Sequence, residues 1–254
     1  MEGMREIACK NTKCRGKSLD KMVRIITVLL YVLVLWGCGT GARQNKDADF
    51  YYKMGLSAFD EGNIQNAFVQ FQTAMRMDPY NRDVLNGLGL VYIQLEDYNK
   101  AAELFLRAVD RDEGFSDAYN NLGVAYIKMK QWDKAIKTLQ NALGNPLFQN
   151  ADKSFFNMGL CYYKAGEYKK AVEAFRDGSL RNPQVPLPYY WLALSYNRSG
   201  LYGEASSALA KGLKLDPAYA GDKSKFEEDI RGKLPLSEGL EERDYLDYLD
   251  ILRY

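Results

Sequence analysis

The stretch LNGLGLVYIQLEDYNKAAELFLRAV, residues 85–109, decides the fold of this chain. Its Gly89 is followed nine, twelve and sixteen residues later by Tyr98, Ala101 and Phe105. The same set recurs along the body. Gly55, Gly89, Gly123 and Gly159 lie 34, 34 and 36 residues apart, and Ala193 follows after another 34. Each is trailed by Ala67, Ala101, Ala135, Ala171 or Ala205. Three residues before those alanines stand Ile64, Tyr98, Trp132, Tyr168 and Tyr202, and four after them Phe71, Phe105, Leu139, Phe175 and Leu209. Pro79, Pro183 and Pro217 close three units; Glu113 stands there in the second, and Pro146 comes one residue early in the third.

A period of this length with small residues at fixed points predicts pairs of antiparallel helices. The small residues let the two helices approach, and the large ones fill the space between neighbours. No unit buries its apolar face alone, so stacking makes the core. The pattern resembles the tetratricopeptide repeat. The resemblance implies an all-α fold, a right-handed α-solenoid of helix–turn–helix repeats over 48–81, 82–115, 116–149, 152–185 and 186–219. Beyond them, 220–254 reads as a capping helix and a helical tail. Phe226, Ile230 and Leu234 recur at a spacing of four, and 237–253 has Ser237 as N-cap with Leu240, Leu246, Leu249 and Leu252 as its apolar side.

In such solenoids the first helix of each pair lines a concave surface. The residues expected to face it are Tyr52, Leu56 and Phe59, then Asn86, Leu90 and Ile93, then Asn120, Val124 and Ile127, then Phe156, Leu160 and Tyr163, and last Tyr190, Leu194 and Asn197. The set reads as an apolar partner-binding groove for an extended or amphipathic peptide, with three asparagines offered to its backbone. Tetratricopeptide domains that clamp chaperone C-termini do so with Lys, Asn and Arg. Here those places hold Tyr52, Leu56, Gly87, Asp117 and Asn121, so that clamp is missing.

Working outward to the N-terminus, Ile25 to Trp36 is apolar apart from Thr27 and is preceded by Lys21 and Arg24. It is shorter than the ~20 residues a membrane-crossing helix needs and fits a signal segment, 1–37, with translation expected to start at Met22. Leu35-Trp36-Gly37-Cys38 resembles the lipobox of bacterial lipoproteins, although Trp36 stands where a small or β-branched residue is usual. The resemblance implies lipidation of Cys38, a tether over 38–47 and, with Gly39 rather than Asp in second place, the periplasmic face of the outer membrane.

The chain has no His, which removes the commonest general base and metal ligand and excludes His-based triads and zinc sites. Carboxylates such as Glu227, Glu228 and Asp229 form a run on one helix without a partner base. No catalytic residue, metal or cofactor is expected, and no small-molecule substrate. Net charge is +1, but 1–37 carry seven basic against three acidic residues, leaving 38–254 at −3. A mildly acidic body gives nucleic acid no reason to bind. Cys161 falls on an apolar helical position and reads as a small buried hydrophobe.

The lipobox, the tether, the long connection in ALGNPLFQNADKSFFNMGLCYYKAGEY (142–168) and NPQVPLPYYWLA (182–193) together resemble the pilotin family of type IV pilus biogenesis (PilF, PilW, Tgl). That resemblance implies a lipoprotein on the inner face of the outer membrane that helps the secretin subunits of the pilus insert and multimerise. Pilotins usually carry six repeats, against five and a tail here. The alternative is a general envelope adaptor for outer-membrane protein assembly or cell-wall enzymes.

Overall fold

The computed structural model of the protein describes residues 47–254. The expectations for the signal segment, the start at Met22 and Cys38 lie outside the described residues. Twelve α-helices and one 3-10 turn, with no strand among the described residues, form an all-α solenoid. Ten of the helices make five antiparallel pairs, each with an inner and an outer member. They are α1 (47–60) with α2 (Ile64–Met77), α3 (Arg82–Gln94) with α4 (Tyr98–Arg111), α5 (Ser116–Lys128) with α6 (Trp132–Leu143), α7 (Ala151–Lys164) with α8 (Tyr168–Arg181), and α9 (Leu187–Arg198) with α10 (Tyr202–Leu215).

One turn geometry joins the members of every pair. Gly62, Glu96, Lys130, Gly166 and Gly200 all take positive φ, of 75, 60, 58, 79 and 77°. The next amide then reaches back over the end of the first helix, Asn63 to the Ala58 carbonyl at 2.8 Å and Asp97 to that of Tyr92 at 3.0 Å. That closes carbonyls the helix end would leave open. The second helix starts at once from its own cap in two pairs, the Asn63 side chain accepting from the Asn66 amide and Asp97 from that of Lys100.

Packing explains the glycine period. A Cβ built on Gly55 would stand 2.6 Å from the Phe71 ring, on Gly89 2.5 Å from Phe105, on Gly123 2.7 Å from Leu139, and on Gly159 2.6 Å from Phe175. Gly87 of the next unit meets Phe71 from the other side, with 2.7 Å to a built Cβ. One ring thus locks both its own pair and its neighbour. The fifth unit carries Ala193 with the smaller Leu209, both buried. Ala67, Ala101, Ala135, Ala171 and Ala205 are all fully buried. In the long third-to-fourth connection Phe148 tucks in beside Ala142 and Ala151, while Leu147 stays exposed.

After the fifth pair, α11 (Lys223–Lys233) is capped by the Asp222 carboxylate and buries Phe226 and Ile230. A 3-10 turn (Leu234–Leu236) then leads to α12 (Gly239–Ile251), which folds back against α9 and α10. The expected start of this last helix is corrected, and its expected apolar side holds only in part, with Leu249 buried and Leu252 packed on the core. Ser237 does not cap it but donates to the Leu234 carbonyl, and Leu246 is exposed. The seated side instead carries Asp244, Asp247, Tyr248 and Ile251, with Leu249 also buried.

Candidate functional site: the concave face and the helix laid on it

Successive inner helices touch one another (α3 with α5, α5 with α7, α7 with α9), and no such contact joins successive outer helices. The inner helices therefore line the concave side. Tyr52, Leu56 and Phe59 are half-buried there against the first core cluster, Tyr52 lying tilted on the Phe71 ring at 5.9 Å. Leu90 and Ile93 pack over Phe105 and Leu122, Ile127 over Leu139 and Cys161, and Val124 is half-buried between them in sequence. Cys161 is fully buried, and burial raises its thiol pKa to about 12. That suits a space-filling residue rather than a nucleophile.

Two of the three candidate asparagines are tied into the scaffold. Asn86 Oδ1 accepts from Asn121 Nδ2 at 2.9 Å, and the buried Asn120 Oδ1 accepts from Ser154 Oγ at 2.9 Å and Asn157 Nδ2 at 3.3 Å. These bonds join α3, α5 and α7, so Asn120 is not a free group for a peptide backbone. Sequence reasoning missed Asn121, Ser154 and Asn157 because each looks like an ordinary helical polar residue until the neighbouring helix is in place.

The fourth and fifth units depart most from an open groove. Phe156 and Leu160 remain half-buried, but Tyr163 and Leu194 are closed off, each with 1% exposure. Their cover is α12. The Tyr163 hydroxyl donates to Asp244 Oδ1 at 2.5 Å, and Arg198 Nε lies 2.5 Å from Asp247 Oδ2. Asn197 sits beside Asp247. The Tyr190 ring stacks on Phe226 at 5.8 Å and takes the edge of Tyr248 at 6.4 Å, while its hydroxyl donates to Asp216. A cleft of about 470 Å³, partly open to solvent, remains between α9, α11 and α12, bounded among others by Leu187, Trp191, Tyr245 and Lys233.

Electrostatics follow from this burial. Burial raises the Asp244 pKa above the ordinary carboxylate value, against the pull of the Tyr163 hydroxyl, Lys164, Arg198 and Arg243. Burial pushes Asp247 to about 6, helped by Asp244 and Asp250 and opposed by Arg198 and Asn197. The Tyr163 and Tyr190 phenols are both pushed up, first by burial and then by the carboxylates they serve. The described residues hold no cluster of potential metal ligands and no helix long and apolar enough to cross a membrane.

Tetratricopeptide repeat models match residues 52–114, 120–179 and 156–220, and a further one 93–145. The chain belongs to the tetratricopeptide repeat family. Among solved structures, this tetratricopeptide protein is similar to the pilF protein of Pseudomonas aeruginosa, with 21% identity, a TM-score of 0.66, and coverage of 80% of this chain and 98% of that one. It is similar to MamA at 26% identity and TM-score 0.58, covering 70% and 96%. YrrB, a tetratricopeptide protein with an unusual peptide-binding site, matches at 22% and 0.56, covering 73% and 92%. Such proteins are protein-interaction scaffolds, and that is the role the fold gives this chain.

Proposed function

We propose that this scaffold is lipid-anchored through Cys38 on the periplasmic face of the outer membrane and assists assembly of the type IV pilus secretin. The observation carrying the reading is a solenoid that spans nearly the whole of pilF, placed behind a lipobox-like Leu35-Trp36-Gly37-Cys38. A lipid anchor confines the solenoid to the membrane surface, which raises its effective concentration toward a membrane-bound subunit. The first three units supply the binding surface through Tyr52, Leu56, Phe59, Leu90, Ile93, Val124 and Ile127, which α12 leaves uncovered. The test is in-cell photocrosslinking from position 52 or 59 with mass spectrometry of the captured partner. Secretin subunits are the expected product, and a strain lacking the protein should lose secretin multimers. Capture of barrel-assembly proteins or cell-wall enzymes, with normal secretin multimers, would replace this reading by a general envelope adaptor.

A further inference from the structure

We propose that the concave face of the fourth and fifth units is a second docking surface, for an acidic amphipathic helix, and that α12 is its resident, displaceable occupant. The inference rests on the scaffold reading of the concave side but on neither secretin nor the membrane anchor.

The occupant's chemistry is read from α12 itself. Asp244, Asp247, Tyr248 and Ile251 fall at i, i+3, i+4 and i+7, one stripe of a helix. The stripe meets a matching surface: the Tyr163 hydroxyl for the first carboxylate, Arg198 for the second, the Tyr190 and Phe226 rings for the tyrosine, and the buried core for the isoleucine. Charge is complementary as well. Glu241, Glu242, Asp244, Asp247 and Asp250 stand on α12 against a single Arg243, while Arg198 and Lys164 meet them from α9 and α7, the latter's ammonium 5.4 Å from the Trp191 ring, and the nearby Asp216 and Asp229 are held by the Tyr190 and Tyr219 hydroxyls and Lys233.

Three features mark the seat as exchangeable rather than permanent core. The connection is thin: no residue from 234 to 239 is buried, Leu236 is 88% exposed, and Gly239 turns the chain at φ 62°. The seam is imperfectly satisfied. Asn197 Oδ1 is buried at it without a hydrogen bond. Such atoms are rare in a settled core. A cleft of about 470 Å³, partly open to solvent, runs between α9, α11 and α12, so the helix is not closed over along this edge.

The test uses the full chain and a fluorescein-labelled peptide spanning residues 239–254. An intramolecular occupant lowers apparent affinity by the fraction of molecules left open, so loosening it should tighten peptide binding about tenfold or more. The loosened variant is Asp244→Ala with Tyr248→Ala, both on α12, checked for retained helicity. Anisotropy should show weak binding to the natural chain, much tighter binding to the loosened one, and loss of that gain when Arg198→Ala is added. In the natural chain, saturating peptide should speed hydrogen exchange in α12 and nowhere in α1–α4. Equal binding by natural and loosened chains, or none by a folded loosened chain, overturns the proposal. A doubled mass on gel filtration would assign the seat to α12 of a second copy and overturn the foreign-helix assignment. Because no pilus component enters the assay, its failure leaves the crosslinking result standing, and the converse holds too.

Discussion

The Tyr163 hydroxyl donates to Asp244 Oδ1 at 2.5 Å across 81 residues of chain. It ties the inner helix of the fourth unit to the last helix of the protein. Both groups are nearly inaccessible, Tyr163 at 1% and Asp244 at 6% exposure. Tyr163→Phe removes the donor and leaves the carboxylate buried, which costs about 1–3 kcal/mol. Urea unfolding should show the loss, and hydrogen exchange should place it in α12 rather than in α1–α4. A loss spread evenly over all units would contradict this local account.

Asp247 gives the same contact a pH dependence. Burial is the main cause of its rise to about 6 from an ordinary value near 3.8; Asp244 and Asp250 add to it, and Arg198 and Asn197 oppose it. The seated state therefore holds a proton that the unfolded state releases between those two values. Seating of α12 is strongest toward the acid side of that window and weakens as pH rises through about 6. Exchange of α12 amides, corrected for intrinsic rates, should show more protection at pH 5 than at pH 8, as order-of-magnitude settings. Asp247→Asn should flatten the difference.

The glycine contacts make a compensation experiment possible. A Cβ at Gly159 would stand 2.6 Å from the Phe175 ring, so Gly159→Ala overpacks the fourth unit. The expected cost is about 1–3 kcal/mol by thermal or urea unfolding. Adding Phe175→Leu reproduces the Ala193 and Leu209 pairing of the fifth unit and should recover part of it. Two strictly additive losses would refute the steric coupling.

Glu96 and Lys130 hold turn positions where the other units have glycine, at φ 60 and 58°. A side chain in that region is strained by about 1–2 kcal/mol, and glycine removes the strain while widening the unfolded ensemble. Glu96→Gly and Lys130→Gly should each raise stability by a net of about 0.5–1 kcal/mol. Gly166→Glu should lower it by a similar amount, read as opposite shifts in the denaturation midpoint.

The repeat was legible because its determinants are close in sequence. Gly55 meets Phe71, Gly89 meets Phe105 and Gly159 meets Phe175 inside single units, so spacing alone announces the contact. The groove was legible only in part. Tyr52, Leu56 and Phe59 lie where a helical period puts them, but a period does not say what a polar residue touches. Asn86 and Asn120 read as ligand groups, and they turn out to be bonded to Asn121, Ser154 and Asn157 of adjoining inner helices.

The amino-acid sequence by itself determined the solenoid, since a 34-residue period of small and large residues leaves each helix pair one way to bury its apolar face. Tertiary structure alone decided the course of the last helix. Hydrophobic pattern pointed to Leu246, which is 45% exposed, while Asp244 is buried in its stead. A carboxylate becomes a core residue only where donors meet it, here the Tyr163 hydroxyl with Arg198 close by, and those partners are brought together by the stacking of the units.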